Sequence, residues 1–158
     1  MTSDKLRLTI LGFWFGVMAY FSFIVAPVAF AVLPLQHLAG NVVSRNLAAT
    51  EFLGMGLGLL LLALRLTSHA RNSRQFLFEL VALALMTIAM AVSRFYVSHR
   101  LHEIRLQYGE GVSALSASDP VRVTFDLLHR VSVGLMSFTM LAALLLIVMH
   151  IRNPRTHG

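Results

Sequence analysis

Four long stretches of apolar residues, almost free of charge, limit the folds open to this chain more than any other feature. The first runs over residues 8–33 without a single Asp, Glu, Lys or Arg. A helix needs about 20 apolar residues to cross the hydrocarbon core of a bilayer, so each stretch is long enough to span or nearly span it. We therefore predict one all-α domain, an integral membrane four-helix up-down bundle, with helices at about residues 8–33, 47–64, 76–106 and 121–151.

Composition supports lipid as the solvent of this chain. Charged residues make up 13% of it, whereas soluble domains carry about 25%. The apolar stretches also lack the alternation typical of a membrane β-barrel. A secretory signal peptide, indicated by Ala29-Phe30-Ala31, is the alternative for the first stretch, but its apolar core spans only about 7–15 residues. We favour a retained helix, with Pro27 kinking it.

The arginines and lysines stand at the ends of the stretches, which predicts membrane anchoring and not nucleic-acid binding. Short cytoplasmic loops carry an excess of these residues. One side of the predicted bundle has seven of them and the other has six. This count favours a multi-pass protein of the cell (inner) membrane with both termini in the cytoplasm. The seven are Lys5, Arg7, Arg65, Arg71, Arg74, Arg152 and Arg155.

Most ionisable residues near the apolar stretches gather at one pair of helix ends. A charge near hydrocarbon is costly, so it usually faces the bundle interior and has a partner. In an up-down bundle these residues would converge on one membrane face and form a polar pocket. The pocket residues expected on this ground are Glu51, Arg94, Asp126, His129 and Arg130.

The spacing of Asp126, His129 and Arg130 places Asp126 on one helix face with each of the other two. One interpretation is a structural ion pair between Asp126 and Arg130, with His129 bonded to a neighbouring helix. The other makes His129 a proton carrier or a ligand that Asp126 orients.

Metal binding is a further hypothesis. His99, His102 and Glu103, joined by His129, offer imidazole and carboxylate ligands for Cu or Zn; the alternative is a wet helix face. Met86 with Met90, and Met136 with Met140, are each four residues apart. Thioethers suit Cu(I), but Met also fills irregular apolar gaps. We expect no cofactor, with Cu or Zn as the alternative.

Two G-x-x-x-G pairs predict close helix packing, because glycine lets helix backbones approach. They are Gly12 with Gly16 and Gly54 with Gly58. These surfaces are expected to form one contact, either within one chain or between two chains.

Several motifs resemble the transmembrane protein 205-like family, which is also described as domain of unknown function four-one-four-nine. They are Gly12-Phe13-Trp14-Phe15-Gly16, Phe23-Ile24-Val25-Ala26-Pro27, Phe30, Leu33-Pro34, Ala39-Gly40-x-Val42, Ser44-Arg45, Ser93-Arg94-Phe95 and Phe125-x-x-x-His129-x-x-Ser132. The resemblance implies a four-helix membrane protein whose polar core includes Arg94, His129 and Ser132. The chain departs from the family in having Leu47-Ala48 where members often have Phe-Pro, and cysteine-based metal handling is excluded because it has no Cys. A more distant likeness to four-helix copper-resistance domains is weakened by the absence of His from the first two stretches.

Three functions are compatible with these patterns. The first is a small transporter or export-associated protein with the polar pocket, and the second is an accessory subunit that binds another membrane protein. The third is a metal-handling or redox protein. No P-loop, nucleophile elbow or H-E-x-x-H motif is present, so soluble hydrolase or kinase activity has no support. The expected partners are the lipid bilayer and a second copy or another membrane protein, without nucleic acid.

Overall fold

A computed structural model describes residues 3–67, 74–108, 112 and 114–152. Within those ranges the long elements are helices and there is no strand. Six α-helices are joined by two π-helical segments in the order α1 (Ser3–Tyr20), first π segment (Phe21–Val25), α2 (Ala26–Val32), α3 (Gln36–Leu66), α4 (Arg74–Val92), second π segment (Ser93–Ser98), α5 (His99–Tyr108) and α6 (Pro120–Arg152).

These elements form four rods that are long and apolar enough to cross a membrane. The π segments connect α1 to α2 and α4 to α5 without interrupting the rod. The rods contain 29, 31, 35 and 33 residues, and each exceeds the length that a bilayer requires. Around the bundle, α1 packs against α3 and α6, and α4 packs against the same two helices. The predicted all-α membrane four-helix bundle is confirmed.

The second rod begins earlier than the sequence pattern predicts. The pattern predicts a second helix from about residue 47, but α3 begins at Gln36. The break is confined to Leu33-Pro34-Leu35, where Leu33 has ψ 133°, because proline disfavours the α conformation in the residue before it. The turns that follow are held by Ala39, which is fully buried. Of the other predicted connections, residues 68–73, 109–111 and 113 lie outside the described part.

Pro27 explains the first π segment. Proline has no N–H to donate to the carbonyl four residues earlier, and its ring crowds that carbonyl. The wider turn of Phe21–Val25 ends two residues before Pro27, so the helix continues through the proline, and the kink stays a prediction. The second π segment has no proline to account for it, and no sequence signal predicts it.

Trp14 organises the interior of the bundle and corrects the predicted glycine packing. A Cβ on Gly54 would lie 2.9 Å from Trp14 Nε1, and a Cβ on Gly58 would lie 3.2 Å from Trp14 Cη2. Gly54 and Gly58 therefore make room for an aromatic ring of α1. Gly12 and Gly16 are exposed, and a Cβ added to either would have nothing within 4 Å. The expected glycine-to-glycine contact within the chain is wrong, because α1 turns its bulky face inward.

The start of α6 is capped by Asp119. Pro120 is the first helical residue, where its missing N–H has no cost. The backbone N–H of Val121 donates to Asp119 Oδ1 at 2.8 Å, which satisfies one of the unpaired amides at the helix start.

Candidate functional site

Polar side chains are buried at both ends of the bundle. One end of the bundle is formed by α2, the start of α3, α5 and the start of α6, and we call it the cavity end because a cavity opens there. The opposite end carries Arg7, Arg65 and Glu79, which are all buried, and we call it the paired end. Glu51 and Arg65 mark the two ends on α3 and are 14 residues apart, a helix length of about 21 Å.

A cavity of about 950 Å³ opens between the rods at the cavity end. All four rods contribute to its walls. On α6 the lining residues follow a spacing of three and four, which is one helix face. They are His129, Ser132, Val133, Met136, Ser137 and Met140.

The ionisable groups that line the cavity are all basic. Among the described residues that form its walls there is no Asp or Glu. Five serines add hydroxyl groups, and the remaining surface is mostly aromatic or aliphatic. The basic side chains are Arg45, Arg94, Arg105, His99, His102 and His129.

Glu51 lies behind this wall and is fully buried. Its carboxylate accepts hydrogen bonds from the hydroxyls of Ser93 and Ser98; the Ser98 Oγ is 3.0 Å from Oε1 and 3.1 Å from Oε2. The guanidinium of Arg94 attracts the same carboxylate and lies over the ring of Phe52, 4.8 Å from its centroid. A buried carboxylate is tolerable when its oxygens are hydrogen-bonded in this way.

The guanidinium of Arg105 is held from two sides. Its Nη1 donates to the hydroxyl of Ser44, which donates in turn to the carbonyl of Gly40 at 2.6 Å. Its Cζ lies 5.4 Å from the ring centroid of Phe125. Arg105 is thus fixed at the cavity wall by α3 and α6.

The structure places the predicted pocket residues in three groups. Arg94, His129 and Ser132 line the cavity, and Glu51 lies next to it. Asp126 and Arg130 are exposed and do not line it. Their functional role stays a prediction.

Asp126 and Arg130 do not form the expected ion pair. Arg130 Nε donates instead to the backbone carbonyl of Asp126 at 3.4 Å, and no ion pair of Asp126 occurs among the described residues. Asp126 also makes no described hydrogen bond to His129, so its expected orienting role finds no contact here.

The predicted metal ligands do not assemble into one site. In the described ranges no three His, Asp or Glu residues lie close enough to hold a metal ion. Glu103 instead pairs with Arg100, with 2.9 Å between Oε2 and Nη1. Met136 and Met140 line the cavity, whereas Met86 and Met90 are buried in the core. Binding of Cu or Zn stays a prediction.

The paired end is a buried network that the sequence pattern does not predict. Glu79 Oε2 lies 2.8 Å from Arg65 Nε and 3.5 Å from Arg7 Nη1. Arg7 also pairs with Asp4, and Arg65 Cζ lies 4.5 Å from the ring centroid of Phe76. In the sequence these charges have the positions of ordinary residues flanking the stretches. The position of Glu79 inside an apolar run is the one available signal for a buried partner.

The comparisons with known proteins give one match. A family model described as Domain of unknown function (DUF4149) matches residues 9–110. This range covers well over half of the chain, and it confirms the resemblance drawn from the motifs. It ends before α6, so His129 and Ser132 lie outside it. No curated protein and no solved structure matches the chain.

Proposed function

The chain belongs to the DUF4149 family, and we propose that it is a small transporter or export-associated membrane protein that binds its solute in the cavity. The observation that carries this proposal is the cavity itself. At about 950 Å³ it has the size of small-molecule sites, which span roughly 300–1,000 Å³ and combine apolar walls with a few polar groups. We place it in the cell (inner) membrane with both termini in the cytoplasm, so that the cavity opens to the outer face.

The orientation rests on the distribution of basic residues. Of the seven in the favoured cytoplasmic set, Arg71 and Arg155 lie outside the described residues. Arg7 and Arg65 are buried in the paired end, where they neutralise Glu79. The measurement below therefore tests orientation together with function.

The paired end closes the bundle on the side away from the cavity. The buried network of Arg7, Arg65 and Glu79 closes the bundle about 21 Å of helix below the cavity region. A solute can cross only if this network opens. Transport therefore requires that cavity residues become accessible from both membrane faces, whereas simple binding requires one.

Single-cysteine labelling tests this without knowledge of the solute, because the chain has no cysteine of its own. Ser137 lines the cavity on α6. Gly134, on the same helix, is exposed, with nothing within 4 Å of an added Cβ. We propose to treat Ser137→Cys and the control Gly134→Cys with the impermeant anion methanethiosulfonate ethylsulfonate, in spheroplasts and in inverted vesicles.

A transporter is expected to label at Ser137→Cys from both faces, faster from the outer one, while Gly134→Cys in lipid does not react. Labelling from one face alone would refute transport and leave a one-sided binding protein. Faster labelling from the cytoplasmic face would reverse the orientation. Absence of labelling from both faces would refute the whole proposal.

A second candidate function is assembly with another copy of the chain. It is favoured by Gly12 and Gly16, which form a G-x-x-x-G on the exposed face of α1, a pattern that allows close helix pairing in membranes. Oxidative crosslinking of Gly12→Cys should give a dimer, whereas Gly56→Cys, on an equally open face of α3, should not. Equal crosslinking of the two variants would contradict this assembly.

A further inference from the structure

We infer that the cavity binds an amphiphile with a phosphate monoester headgroup and one long apolar chain. This inference names the substrate class of the cavity and rests on the proposed function. The charge on the cavity walls, the partners of the wall arginines and the position of three phenylalanine rings support it.

The charge balance of the cavity favours a dianion. Three arginines line it, and guanidinium groups keep their charge in proteins. The Glu51 carboxylate offsets Arg94. Arg105 contacts a hydroxyl and an aromatic ring but no described carboxylate. Arg45 is exposed and has no partner among the described residues. Two positive charges thus remain, which a phosphate monoester balances and a single carboxylate does not.

The wall arginines also keep hydrogen-bond donors available. Arg94 Nε is buried without a hydrogen-bond partner among the described residues. Arginine binds phosphate through several parallel N–H donors, which is stronger than a neutral hydrogen bond. Ser132 lines the same space and adds a hydroxyl group, whereas the Ser98 hydroxyl already donates to Glu51.

The rest of the wall suits an apolar chain. Phe23, Phe30 and Phe95 line the cavity and are also largely exposed. Exposed rings on a membrane-spanning rod suit contact with acyl chains, which is the environment that an apolar tail prefers. A molecule that already resides in the bilayer can enter with its tail among the rings and its headgroup at the arginines. A free inorganic anion would leave the aromatic wall unfilled.

Native mass spectrometry of the lipid-depleted protein in a non-ionic detergent tests the inference. The probes are palmitoyl lysophosphatidic acid, palmitoyl lysophosphatidylcholine, palmitate and inorganic phosphate. We expect one lysophosphatidic acid per chain, with the other three at least about 10-fold weaker, because each lacks the second charge or the chain. Equal affinity for any of those three would overturn the assignment.

Arginine variants locate the headgroup. Arg45→Gln combined with Arg105→Gln should weaken the affinity for lysophosphatidic acid about 10-fold to 100-fold, because two charged hydrogen-bond donors to the headgroup are lost. The control is Arg130→Gln, which removes one guanidinium charge from the same end but outside the cavity, and it should bind as the parent does. Loss of less than about threefold in the double variant, or an equal loss in the control, would overturn the inference. A thermal unfolding curve checks that the double variant is folded.

A plug variant separates this inference from the proposed function. Ser132→Phe fills the cavity, whereas Gly134→Phe adds the same ring on the outside of α6. If another probe binds better than lysophosphatidic acid and Ser132→Phe alone abolishes that binding, the cavity is a solute site but the substrate class is wrong. If no probe binds, this inference fails, and the labelling of Ser137→Cys then decides the proposed function by itself.

Discussion

Replacing Glu79 by Gln should destabilise the protein by about 3 kcal/mol, because it removes the carboxylate that neutralises two buried guanidinium groups. The Arg65 and Arg7 side chains are 0% and 4% exposed, and that of Glu79 is 10% exposed. Breaking a buried ion pair from one side costs about 3–5 kcal/mol, since a charge is left in a poorly solvated site. Asp4 still faces Arg7 in the variant, which places the expectation at the lower end.

The matched control is Glu103→Gln. Glu103 pairs with Arg100 at 2.9 Å, nearly the distance of the Glu79 pair, but these side chains are 43% and 62% exposed. Exposed ion pairs contribute about 0–1 kcal/mol. The same Glu-to-Gln change should therefore destabilise the protein more at Glu79 than at Glu103, because the Glu79 pair is buried.

The free energy of unfolding can be measured by titrating sodium dodecyl sulfate into mixed micelles and following helix content. A destabilisation by Glu79→Gln below about 1 kcal/mol, or one equal to that of Glu103→Gln, would refute the role of buried charge. The double variant Arg65→Met with Glu79→Leu should recover part of the loss, because an apolar pair of similar size needs no neutralisation.

Three further predictions use the same unfolding assay. Gly58→Ala should lower the free energy of unfolding by about 1–3 kcal/mol, because its Cβ would collide with Thr87 and approach Trp14. Gly12→Ala, with open space around it, should be neutral or stabilising. Equal effects of the two variants would contradict the packing described. Ser93→Ala should cost about 1–3 kcal/mol, because the buried Glu51 carboxylate loses a hydrogen bond, and a change within about 0.5 kcal/mol would argue against that bond. Asp119→Ala should cost about 0.5–2 kcal/mol through the lost cap of α6, and an unchanged midpoint would show that the cap has no effect.

The sequence predicts the four rods well, because apolar length alone decides whether a helix can cross a bilayer. It misplaces the start of α3 because residues 36–46 are too polar to read as part of a membrane span. Their helix continues past the hydrocarbon, and its burial comes from neighbours such as Ala39. Contacts of this kind depend on how the rods are arranged, which no single stretch encodes.

The site is predicted in part. Up-down topology brings Arg94, His129 and Ser132 to one cavity, as their shared helix ends indicate. The spacing argument fails for Arg130, because one residue beyond His129 rotates the side chain by about 100° around the helix. It fails for Asp126 because its neighbour Phe125 is the residue that faces α5 there, with its ring centroid 5.4 Å from Arg105 Cζ.

The second π segment, next to Glu51 and at the cavity wall, sets the rotation of α5 about the axis of its rod. A π turn holds about one residue more than an α turn, and returning it to α winding rotates everything beyond it by about 100°. Such a rewinding would swing His99, His102 and Arg105 around the rod axis while the charges at the far end of α4 stay paired. The winding of this one segment therefore decides which side chains of α5 face the cavity, independently of α4.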